Sequence, residues 1–129
     1  MAISKQTRQK VYKKFNGKCA YSGTKLLDDW QVDHITPQRL YDFAMINGKD
    51  NIENLMPVQR IINHYKGALT LKDFKNWYLA GLHLRLAKLP KKPRTEKSQK
   101  RKKYLLDVAT FFCINPSSPF NGKLYFESL

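Results

Sequence analysis

The residues best equipped for chemistry lie in two stretches, WQVDHITP at 30–37 and DNIENLMPVQRIINHYKG at 50–67. In the first, Asp33 stands next to His34 near the end of a run rich in β-branched residues. Neighbours on a strand point to opposite faces, so the two side chains share a site only where the strand ends or bulges, irregularities that are favoured beside active sites. A hydrogen-bonded structural pair at a strand end would have the same sequence, so the dipeptide alone decides nothing. The second stretch adds Asn54-Leu55, then Asn63 nine residues later, then Lys66-Gly67.

Taken together, Val32-Asp33-His34-Ile35-x-Pro37, Asn54-Leu55, Asn63 and Lys66-Gly67 resemble the HNH nuclease family over about residues 8–80. The resemblance implies an α+β fold with a ββα-metal (HNH or His-Me finger) core and surrounding helices, in which two strands and a helix clasp one divalent ion. Carried over by position, His34 resembles the general base that takes a proton from the attacking water. An imidazole with an ordinary pKa near 6.5 is largely neutral at pH 7 and suits that role. Asp33 and Asn63 resemble the metal ligands, and Asn54 the residue that ties loop to strand and orients the histidine. A carboxylate and an amide oxygen suit Mg²⁺, with Mn²⁺ as a substitute, and leave coordination positions for phosphate.

One departure from the family is plain. Many members brace this fold with a structural zinc on two Cys-x-x-Cys pairs, but the corresponding positions are Cys19, Ser22, Gln59 and Ile62. The expectation is therefore no structural zinc, as in the HNH domains of RNA-guided nucleases, with Leu55, Ile61 and Ile62 providing apolar bracing. The only other cysteine, Cys113, leaves no disulfide framework.

Other residues carry weaker signals. Lys66 either contacts the scissile phosphate or complements the end of its helix. Arg39 and Arg60 are further candidates for backbone contacts. His64 reads as a helix-surface residue and His83 as a solvated one, while Trp77, Tyr78, Phe111 and Phe112 fall at helical spacing and read as core.

The elements that must position these groups follow from pattern. Ser4 starts a helix over 4–15 that Asn16-Gly17 stops. Lys18–Ser22 and Trp30–Thr36 read as the strands of an antiparallel hairpin. Residues 48–54 form a loop, 58–66 a short helix ended by Gly67, and Thr70 with Asp73 caps a helix whose stripe is Leu71, Phe74, Tyr78, Leu82, Leu86 and Leu89. Pro90 and Pro93 bracket a polar break before a last helix from about 96 to 113, docking through Tyr104, Val108, Phe111 and Phe112. The alternating run 124–126 reads as an edge strand. This divides the chain into a nuclease domain at 1–89 and, at 90–129, a basic linker, helix and tail that pack on it.

At 129 residues the chain is of a size for one domain. Its 24 basic and 10 acidic side chains give a net charge of +14, which points to a polyanionic partner: DNA first, RNA as an alternative. The charge is uneven, with six basic and no acidic residues in 1–18, ten basic and one acidic in 85–103, and seven of each in 19–84. For Lys91–Lys103 the readings are DNA-backbone binding, a solvated linker or an import signal. No apolar run approaches the roughly 20 residues of a membrane span and the first residues lack a secretory signal, so the expectation is a cytoplasmic protein without a membrane partner. The sequence thus leads to a metal-dependent DNA endonuclease, and alternatively to a non-cleaving HNH module that binds nucleic acid within a larger complex.

Overall fold

The computed structural model of the chain describes residues 3–129 as a mixed α+β fold. Helix α1 spans Lys5–Lys14. The Ser4 hydroxyl accepts from the Thr7 N–H, and α1 buries Val11. Asn16 and Gly17, both at positive φ, turn the chain out of it. Lys14 lies in its last turn and donates to the carbonyls of Ile52 (2.8 Å) and Leu55 (2.9 Å), tying α1 to the centre of the molecule. Burial lowers the pKa of this ammonium, against a smaller opposing effect from Glu53.

The sheet is not the expected hairpin. Strand β1, Gln31–His34, pairs antiparallel with β2, Leu55–Val58, in the register Gln31↔Val58, Val32↔Pro57, Asp33↔Met56 and His34↔Leu55. Pro57 argues against a strand in the sequence because it has no donor. Its carbonyl, however, accepts from the Ala20 N–H (2.8 Å), on the side away from β1. The missing N–H therefore falls outside the ladder. Lys18–Ser22 instead begins a tight loop closed by a bridge between Lys18 and Lys25.

That loop is clamped from below. Gln59 is 1% exposed. Its Oε1 accepts from the Leu27 N–H (3.1 Å), and its Nε2 donates to Thr24 Oγ1 (3.1 Å) and the Lys25 carbonyl (2.7 Å). Cys19 and Ile62 are fully buried beside it in the common core. The bracing at this corner is thus polar as well as apolar, which the expectation of apolar contacts alone missed.

After β1 come α2, Gln38–Ala44, which buries none of its residues, and a 3₁₀ turn over Ile52–Asn54. Helix α3, Arg60–Lys66, follows β2 and packs against β1. It ends at Gly67, whose φ of +58° favours glycine.

The expected single helix from Thr70 is broken. Helix α4, Leu71–Asp73, runs into a π-helical turn, Phe74–Leu79, before α5, Leu82–Ala87. The wider turn shifts the inward face by a residue. Leu79 is buried where Tyr78 was expected, Tyr78 is 37% exposed and Trp77 is 68% exposed. Helix α6, Glu96–Phe111, is capped by Thr95 and packs on α3 and α5 through Leu105, Val108 and Ala109. The expected edge strand at 124–126 does not form: Tyr125–Ser128 coil into a 3₁₀ turn, whose first two N–H groups, on Tyr125 and Phe126, donate to the carbonyls of Tyr21 and Ala20. One core cluster joins Val11, Leu55, Ile62, Phe74, Val108 and Leu124. Among the described residues no helix is long and apolar enough to cross a membrane.

Candidate functional site

Strand β1 delivers Asp33 and His34 to a cleft of about 230 Å³ that Arg39, Lys66 and Gly67 also line. Asp33 is 7% exposed. Its Oδ2 accepts from the Tyr21 hydroxyl at 2.5 Å and pairs with Lys66 Nζ at 3.0 Å. Burial, followed by the charge and hydrogen bond of Asp33, pushes the Tyr21 hydroxyl well above its usual pKa of 10.0, so it is a fixed donor. Both contacts fall on one carboxylate oxygen, which leaves Oδ1 for another ligand.

Lys66 is 1% exposed, and its Nζ also lies 3.4 Å from the His34 carbonyl. A side chain enclosed to this degree is not a solvated complement to the helix end; it lines the cleft with its ammonium on Asp33. Its first duty is to neutralise Asp33, since a carboxylate buried alone would be costly. The pairing with Asp33 is a role that neither reading from sequence named.

The His34 ring lies 2.8 Å, through Nε2, from Asp50 Oδ1, and is the less exposed partner. A carboxylate accepts, so Nε2 is the nitrogen that donates to Asp50, and Nδ1 is the ring nitrogen not engaged by it. Asn54 holds this arrangement in place. Its Oδ1 accepts from the Thr36 N–H (2.8 Å), while its Nδ2 donates to the carbonyls of Lys49 (2.8 Å) and Thr36 (3.2 Å). The Asn54 carbonyl also accepts from the Ile35 N–H. One buried amide thus joins the end of β1 to the loop that carries Asp50.

Asn63 and Arg60 face elsewhere. Both line a groove of about 980 Å³ between α3 and α6, and Asn63 Nδ2 donates to Gln31 Oε1 at 2.7 Å. Gly67 borders both cavities. Arg39 is exposed at the rim of the cleft and donates to the Ala68 carbonyl (3.0 Å from Nη2). His64 is exposed and sets its ring edge-on to Tyr104, with centroids 5.7 Å apart. His83, expected in solvent, has Nδ1 enclosed without a hydrogen-bond partner.

Tyr21, Gln31 and Asp50 carry no mark in the sequence that sets them apart. Asp50 sits in a Gly/Asn/Asp stretch that reads as a loop, and nothing in its spacing identifies it as the partner of a histidine 16 residues earlier. No protein-family model, curated protein or solved structure matches the chain.

Proposed function

We propose that the chain is a metal-dependent endonuclease of the HNH type that hydrolyses phosphodiester bonds of DNA, with β1, β2 and α3 as its ββα-metal core. The observation that carries this reading is the cleft in which a histidine, oriented by a carboxylate, lies beside a buried acid, with an arginine at the rim. In the reaction, His34 Nδ1 takes a proton from water as the oxygen attacks phosphorus. Asp50 holds the ring in the productive tautomer and steadies the imidazolium that forms. The bond to the 3′ oxygen breaks, giving 5′-phosphate and 3′-hydroxyl ends. Arg39 offers its guanidinium to the substrate backbone.

The donors present fit a magnesium-type ion. Asp33 Oδ1 is uncommitted, and Asn63 has its amide nitrogen on Gln31, which leaves the amide oxygen. Both are hard oxygens, and Mg²⁺ characteristically takes one or two protein oxygens and fills its shell with water and phosphate. When bound, the ion supplies Lewis-acid stabilisation of the phosphate and the departing 3′ oxygen. Asp33 and Asn63 line different cavities that share Gly67 as a border, so Asp33 is the ligand at the cleft in this reading and the Asn63 oxygen is not brought to it.

One observation favours a second reading, a non-cleaving DNA-binding module within a larger complex. Lys66 already neutralises Asp33 and repels a second cation. Supercoiled plasmid separates the two. Relaxation or linearisation in Mg²⁺ that stops in EDTA is the outcome expected of the nuclease. Tight binding with no strand break in Mg²⁺ or Mn²⁺ would leave the binding module.

A further inference from the structure

His34 does not line the groove between α3 and α6, which is the larger of the two cavities, about 980 Å³ against about 230 Å³. Pockets that enclose small organic ligands run to roughly 300–1,000 Å³. The His34 cleft therefore has room for a phosphodiester but not for the base attached to it, whereas the groove has room for a nucleotide. Resting on the nuclease reading of the cleft, we propose that the groove receives an unpaired nucleotide of the strand whose backbone lies at His34.

Three features specify the ligand. The first is a planar, stackable lining, since Tyr104, Phe111 and the His64 ring border the groove, and base–aromatic stacking tolerates any base. The second is a fixed amide. Gln31 Oε1 accepts from Asn63, so its NH₂ is left to donate to a base carbonyl or ring nitrogen, as side-chain amides commonly do at base edges. Gln31 and Asp33 share one face of β1 two residues apart, or about 7 Å at the rise of a strand. One nucleotide can span that distance.

The third is charge. The wall of α6 that carries Tyr104, Asp107 and Phe111 continues one and two turns N-terminally as Arg101, Lys100 and Lys97. Arg60 faces it from α3; of the two carboxylates lining the groove, Asp107 pairs with Lys103 at 2.8 Å and Asp29 is exposed, and Lys100 pairs with Glu96 at 3.0 Å, so the positive charge of the face rests on Lys97, Arg101 and Arg60. A polyanion following this cationic face arrives at the rings, and an apolar peptide gains nothing from it.

The test is fluorescence anisotropy in EDTA, where no strand is cut. It compares a fully paired, fluorescein-labelled duplex with the same duplex carrying a two-nucleotide bulge. Wild type is expected to bind the bulged duplex about tenfold more tightly, near the lower end of the range for one base–aromatic stack. Gln31→Ala removes the amide, and Thr110→Trp fills the groove from an exposed position on α6. Each should bring the ratio of affinities towards one, with folding verified by thermal melting. Equal affinities for the two duplexes in wild type would overturn the proposal, as would a ratio that neither variant alters. A bulge preference without plasmid cleavage would leave the groove and remove the nuclease, while cleavage without the preference would do the reverse.

Discussion

Asp33 holds an ammonium and a phenol on one oxygen, and the balance at that atom sets the stability of this corner and, in the proposed nuclease, its metal affinity. Replacing Lys66 by Met leaves a buried carboxylate with Tyr21 alone, which should cost roughly 3–5 kcal/mol. Urea denaturation of Lys66→Met, Asp33→Asn and the double variant should show the double variant losing less than the sum of the singles. Asp50→Asn keeps the size of the partner but lets Nε2 meet a donor or an acceptor, so the ring loses its fixed tautomer. Single-turnover cleavage by Asp50→Asn should fall about 10–100-fold with DNA affinity unchanged. The sequence made Asp33, His34 and Asn54 legible because their types and joint spacing resemble a known pattern. Tyr21 and Asp50 were illegible because they meet their partners only through loop closure, which leaves no periodic mark. The pairing of Lys66 with Asp33 was hidden for the same reason, although each of the two residues carries a signal of its own.

Between elements, the Gln59 amide is the principal clamp on the loop over residues 18–27. Gln59→Leu would remove the partner of the Leu27 N–H and of the Lys25 carbonyl in a part-buried loop, at a cost of about 1 kcal/mol for each lost bond. Equilibrium denaturation measures it, and an unchanged midpoint would show that the clamp is dispensable. The tail has a pH-sensitive anchor. Burial pushes the Glu127 carboxyl up, but the hydrogen bonds from Lys75 and the Leu124 N–H outweigh it and hold the group below its usual 4.5. A depressed carboxyl contributes stability above its unfolded pKa and loses it as the pH falls through the folded one. The protection of the Tyr125 and Phe126 amides against exchange, relative to the intrinsic rate at each pH, should therefore fall below about pH 4.5, and Glu127→Gln should remove that step. Helix starts and stops at Ser4, Gly67 and Thr70 were readable because capping is local. The pairing of β1 with β2 was not, because a proline masked β2 and the partner lies more than 20 residues away. Nor did a stripe of apolar residues reveal the π turn that rotates Trp77 outwards.

Across the whole molecule, a net charge of +14 concentrated at 1–18 and 85–103 predicts binding dominated by counterion release. The logarithm of DNA affinity should fall linearly with the logarithm of salt concentration. Replacing Lys97, Lys100 and Arg101 by Gln should make that slope shallower by about one unit for each phosphate that is no longer neutralised. The sequence alone disclosed this charge and its distribution, whereas the single core that joins the tail, α6 and the strands became visible only in three dimensions.

The proposed activity depends above all on His34 removing the proton from water in a metal-assisted cut. Single-turnover cleavage of an end-labelled duplex in Mn²⁺, with wild type and His34→Ala at saturating protein, tests it most directly. The expected result is rapid cleavage by wild type to 5′-phosphate ends and a rate about 10²–10⁴ lower in the variant, with equal DNA affinity. Cleavage at the same rate by both proteins would contradict it.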